Sequence, residues 1–64
     1  MNLNKLRGLR VEKQMTQQDI ADKMGISRKS YALKENGKIK FTIQEAIELS
    51  IVLGQGEINH IFFK

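Results

Sequence analysis

Arg28 and Lys29 stand side by side directly after Ser27, and Tyr31 follows two positions later. The planar fork of an arginine donates two hydrogen bonds to O6 and N7 of guanine, a contact worth roughly 1 to 3 kcal/mol of discrimination between bases. A lysine offers the same charge with less geometric selectivity. Arg28 is therefore the first candidate for reading a base edge and Lys29 the second. Lys38 and Lys40, on either side of Ile39, make a short basic loop of the kind that rests against a phosphate.

Two short helices meeting at a glycine turn are needed to present such a pair. Thr16 reads as a helix cap whose hydroxyl accepts from an otherwise unpaired backbone amide, and Asp19 three residues on completes a capping box and favours the positive end of the helix dipole. Ile20, Ala21 and Met24 fall on one face of that helix. Gly25 can take the positive φ that the break requires, and Ala21 is small enough for a second helix to approach closely. Ser27 caps the second helix, which runs to about Glu35, and Asn36 with Gly37 supplies a left-handed stop. Ile26 and Tyr31 continue the buried side, so Arg28 and Lys29 point outward, toward a DNA groove.

The remaining segments read as support. Leu3, Leu6 and Leu9 predict a first helix from about Leu3 to Lys13, in which Gly8 is worth about 1 kcal/mol less than alanine. Phe41 anchors the basic loop. Thr42 with Glu45 forms another capping box and opens a helix through Leu53 whose main stripe is expected to be Ile43, Ala46, Ile47, Ser50 and Leu53. Gly54 and Gly56 end it. Glu57 to Phe62 reads as one or two closing turns, with Ile58, Ile61 and Phe62 inward. The sum is an all-α chain of five helices without a strand.

With 64 residues the chain is expected to form one domain, residues 1–64, near the size at which a single core barely outweighs chain entropy. The absence of cysteine excludes a disulfide framework and a thiolate metal site. No run is apolar enough to span a membrane or to serve as a signal peptide, which places the protein in the cytoplasm. The net charge of +4 is uneven: residues 1 to 40 hold ten Lys/Arg against four acids, and residues 41 to 64 hold one against three. A charge run alone is ordinarily a solvated face. Here the basic part coincides with the two-helix motif, which favours a polyanionic partner.

These residues resemble the Cro and repressor (Xre) family of helix-turn-helix regulators found in phages and bacteria. The carriers are Leu6, Arg7 and Arg10; Thr16 and Gln17; Ile20 and Ala21; Met24 to Ser27; Glu35 to Lys38; Leu53 and Gly54; and Ile61 to Phe63. The resemblance covers nearly the whole chain and implies a compact five-helix bundle of the lambda-repressor-like type, its helix-turn-helix formed by the second and third helices. It also implies that Gln17 binds a backbone phosphate, that Arg28 and Lys29 reach base edges, and that Asn36, Lys38 and Lys40 approach phosphates across the groove. Gln18, Ser27 and Ser30 are lesser members of that DNA-facing set. Arg10 and Glu35 are implied to pair inside the domain as a structural ion pair.

The chain departs from the pattern in three places. Lys34 occupies a position that is usually aliphatic and inward-facing, while Leu33 sits where a polar groove-facing residue is common. If Lys34 snorkels, its stem covers apolar surface and its amine reaches a phosphate, leaving Leu33 for a thymine methyl. Tyr31 replaces a branched aliphatic and brings a hydroxyl that needs a partner, and it reads as core rather than as a DNA contact. The Gln55, Gly56, Glu57 link is one residue longer than the pattern and lacks a Ser or Thr cap.

A two-turn helix reads only about four base pairs, so specificity calls for two copies on half-sites about one DNA turn apart. Leu49, Ile51, Val52 and Phe63 exceed what the inward stripes need. Leu49, Ile51, Val52 and Phe63, with Phe62, are accordingly the expected dimer seam, against the simpler reading that they pack within the bundle. The lone His60 and the scattered acids offer no catalytic or metal site. No enzyme, cofactor or small-molecule ligand is expected. The expected function is a sequence-specific double-stranded DNA-binding regulator, a repressor or Cro-like phage or prophage switch protein. The alternative is a helix-turn-helix module that binds an acidic protein, such as an antitoxin or antirepressor, and a third option is nonspecific DNA coating.

Overall fold

A computed structural model describes residues 2–54 and places four helices among them: α1 (Leu3–Glu12), α2 (Gln17–Met24), α3 (Arg28–Glu35) and α4 (Ile43–Leu53). No strand occurs among the described residues. The described architecture thus has four helices rather than five, and the closing turns expected at Glu57 to Phe62 lie outside the described residues.

Each helix begins on a side chain that satisfies a backbone amide. Asn2 accepts from the Lys5 amide at 2.9 Å, and the Ser27 hydroxyl accepts from the Ser30 amide at 3.1 Å. Thr16 with Asp19 and Thr42 with Glu45 form two complete capping boxes, each side chain bonded to the other's backbone N–H. Such caps contribute about 1 kcal/mol each, which matters in a chain this short. The turn between α2 and α3 is set by Gly25 at φ 72°, and the Ile26 amide reaches back to the Ala21 carbonyl at 3.0 Å. Gly37, at φ 81°, ends α3, and a Cβ there would meet Leu3 Cδ1 at 3.2 Å.

α2 packs against both α3 and α4, and α1 packs against α3. The core is Leu6 from α1, Ile20, Ala21 and Met24 from α2, Tyr31 from α3, and Leu49 and Leu53 from α4. Half-buried Leu3, Leu9, Met15, Ile26, Phe41 and Val52 close over it, and Phe41 tilts against Tyr31 with ring centroids 6.1 Å apart.

α4 is rolled by about a quarter turn from its expected orientation. Ile43 and Ile47, placed inward by periodicity, are exposed, while Leu49 is fully buried and Val52 packs at the core's edge. Leu49 therefore belongs to the interior of its own chain and is corrected from the dimer seam. The physical reason is tertiary packing: Leu49 and Leu53 complete the core with Leu6, Ile20 and Tyr31, a burial worth more than an ion pair, and the Lys34–Glu45 pair at 3.1 Å follows on the side that Glu45 shares with Leu49 and Val52.

Candidate nucleic-acid interface

α3 carries its polar hardware on two opposed sides. Tyr31 and Glu35, one turn apart, face inward and are fully buried. Arg28 and Lys29 are exposed on the first turn, and neither makes an ion pair or side-chain hydrogen bond among the described residues. Ser30 and Leu33 are half-buried along the same helix, and Asn36, Lys38 and Lys40 are exposed in the segment that follows. The result is a cationic leading edge on a rod whose other side is fixed into the domain.

What fixes it is a buried carboxylate. Glu35 accepts from Arg10 Nε at 2.9 Å and Nη2 at 3.2 Å, from Gln17 Nε2 at 3.0 Å and from the Tyr31 hydroxyl at 2.7 Å, and Arg7 Nε stands 3.7 Å away. The same guanidinium of Arg10 donates to the Met15 carbonyl at 2.9 Å, and Arg7 Nη2 donates to the Glu35 carbonyl at 3.3 Å. The Glu35 carboxylate thus ties α1, the first residue of α2 and the end of α3, and through Arg10 the segment ahead of α2 as well. Burial raises the Glu35 pKa, but the hydrogen bonds from Arg10, Tyr31 and Gln17 outweigh it, and the group lies below the usual carboxylate range. Hydrogen bonding to Glu35 likewise raises the pKa of Arg10. Burial, followed by the hydrogen bond to Glu35 and its negative charge, pushes the Tyr31 phenol up, so the hydroxyl stays a donor.

Several residues read from the sequence as DNA-facing are occupied within the chain. Gln17 gives its amide to Glu35 rather than presenting it outward. Gln18 donates to Asp22 Oδ1 at 2.7 Å along the exposed side of α2. Ser27 is engaged as the α3 cap. Lys34 corrects the snorkelling expectation: its amine leaves the apolar interior, but toward Glu45 Oε1 and not toward the outer face, and both side chains are largely covered. Phe62 and Phe63 of the expected seam lie outside the described residues.

Three partnerships were missed from sequence. Tyr31 with Glu35 carried a signal, the spacing of four residues that stacks two side chains on one helix face. Lys34 with Glu45 and Gln17 with Glu35 bridge separate helices and carried none. Among the described residues no cluster of His, Asp or Glu could hold a metal ion, and no helix is long and apolar enough to cross a membrane.

Two short helices set at a glycine turn, the second with an outward cationic edge, define a helix-turn-helix DNA-binding domain. A family model described as helix-turn-helix matches residues 6–58, and the chain belongs to that family, the Cro and repressor (Xre) type of DNA-binding regulator. No curated protein and no solved structure matches the chain.

Proposed function

We propose that this protein is a sequence-specific transcriptional regulator, a repressor or Cro-like phage or prophage switch component, that occupies a double-stranded operator as a homodimer and blocks polymerase there. One observation carries the reading. Around α3, Arg7 and Arg10 are engaged with Glu35 and Lys34 with Glu45, whereas Arg28 and Lys29 alone on that helix keep their charge directed outward. Cations held by the fold position the helix, and cations left uncovered meet the groove.

Arg28 reads a base edge, with Lys29 beside it, and Leu33 lies where a thymine methyl would meet it. Asn36, Lys38 and Lys40 set register on phosphates. Gln17 adds a phosphate contact through its backbone amide at the start of α2, its side chain being held by Glu35.

Selection of bound duplexes from a random library, followed by titration against salt, tests this. Arg28→Ala should relax preference at one base pair per half-site, and Lys38→Ala should weaken all sequences evenly while lowering the salt slope by about one. Unchanged base preference in Arg28→Ala overturns the assignment. Equal affinity for selected and random duplexes would mark nonspecific coating instead.

A further inference from the structure

Arg7 is held by the fold and yet is not neutralised by it. Arg7 and Arg10 share one carboxylate, so two positive charges stand against the single negative charge of Glu35. Arg10 takes it: its guanidinium donates to both carboxylate oxygens and is 13% exposed, while Gln17 and Tyr31 donate to the same two oxygens. Arg7 Nε, 3.7 Å from Oε1, is too far for a hydrogen bond, and the Arg7 side chain is 42% exposed. Its hydrogen bonds go to neutral oxygens, Nη1 to Asn4 Oδ1 at 3.1 Å and Nη2 to the Glu35 carbonyl at 3.3 Å. A guanidinium has more N–H donors than these bonds use, so Arg7 keeps both donors and charge for a further acceptor. As a tie between α1 and α3 a neutral donor would serve equally, and the surplus charge is what the tie does not need.

We infer that Arg7 is a contact to the DNA backbone, a cation set where α1 meets α2 and α3 to bind a phosphate. The inference rests on the reading proposed above, in which Gln17 and Asn36 meet phosphates, and it adds a residue of α1 to that set. Position selects the ligand. Arg7 and the Gln17 side chain flank the same carboxylate oxygen of Glu35, and the carbonyl that Arg7 holds belongs to the residue directly before Asn36. Arg7 therefore stands next to both of the places where the backbone of the duplex is proposed to come close. Two tethers, one within its own helix and one at the end of α3, fix the guanidinium before binding, so little rotamer freedom is left to lose. A planar fork with unspent N–H groups suits phosphate oxygens, to which it donates parallel, charge-assisted bonds.

Arg7→Met keeps the stem and removes the charge. On a duplex selected from the random library it should lower the slope of log affinity against log salt by about one and weaken binding roughly five- to tenfold at about 0.1 M salt. The loss should be the same on a random duplex, because a phosphate contact carries no sequence information. Arg7→Lys keeps the charge and should keep the slope. Circular dichroism and urea unfolding give the folded fraction of each variant, to which its affinity is referred. An unchanged slope in Arg7→Met overturns the inference and leaves Arg7 only a tie between α1 and α3. An equal fall in Arg7→Lys also overturns it, since the loss would then trace to disturbed packing rather than to a charge. So does a loss confined to the selected duplex, which would make Arg7 a reader of bases. Wild-type preference for selected over random duplexes judges the sequence-specific reading separately, because a phosphate contact contributes alike to both.

Discussion

Glu35 is the residue on which the orientation of α3 depends. A carboxylate with 1% exposure is costly unless its charge is matched and its oxygens are saturated, and here four donors from three helices do both. Removing the carboxylate should cost more than removing any one donor. Glu35→Gln leaves the Arg10 guanidinium, 13% exposed, without its counter-charge, and is expected to cost about 3 kcal/mol or more. Tyr31→Phe deletes a single hydrogen bond to a charged group and should cost about 1.5 to 3 kcal/mol. Urea unfolding of both variants gives the ranking, and a Tyr31→Phe loss equal to that of Glu35→Gln would show the phenol, not the charge pair, to be the keystone. The same site sets an acid limit. Glu35 and Glu45 both titrate below their unfolded values, so their stabilisation is fully present above the ordinary carboxylate range, near pH 4.3, and is lost as pH falls through the lower folded values. Melting temperature should be flat from about pH 8 to 5 and fall in more acidic solution, with a shallower fall in Glu35→Gln.

The helix starts were legible in the sequence because a cap is a local event. Thr16 with Asp19, Ser27 with Ser30, and Thr42 with Glu45 satisfy amides three residues away, and no distant contact can move them. The outward placement of Arg28 and Lys29 was legible for the same reason, once Ser27 fixed the register of α3. The face of α4 was not. Gln44, Glu45 and Glu48 share one side and the rest is largely apolar, so periodicity allowed two stripes, and the choice fell to the packing of Leu49 and Leu53 against the other helices. Gln17 shows the same limit at the site, since a glutamine at a helix start gives no sign that a carboxylate 18 positions on will hold its side chain. At the scale of α1, Gly8 is the weak point. It lies in mid-helix, exposed, and a Cβ built there meets nothing within 4 Å. Gly8→Ala should therefore stabilise the domain by about 0.5 to 1 kcal/mol, read as a higher melting temperature with operator affinity per folded molecule unchanged. A fall in melting temperature would mean that an added methyl at this position disturbs α1 and the arginines it carries, and would overturn the expectation.

For the molecule as a whole, the question is which of its positive charges meet DNA. Ten of the eleven Lys/Arg lie in residues 1 to 40, but their number overstates the charge available to phosphates, because several are neutralised where they stand. Lys34 is the discriminating case. Its amine lies 3.1 Å from Glu45 Oε1, with side chains 12% and 15% exposed, whereas Lys38, four residues on, is exposed at the end of α3. Burial raises the Glu45 pKa, and the Thr42 amide and Lys34 together lower it further than burial lifts it, so a carboxylate charge stands beside the Lys34 amine and offsets it. A neutralised cation releases no counterion when duplex binds, and an exposed one releases about one. Lys34→Met should accordingly leave the salt slope of operator binding unchanged, while Lys38→Ala lowers it by about one. The methionine keeps the stem that covers apolar surface, and Glu45 retains the Thr42 amide, so the stability change should stay within about 1 kcal/mol. If Lys34→Met lowered the slope as far as Lys38→Ala, Lys34 would have to leave Glu45 on binding.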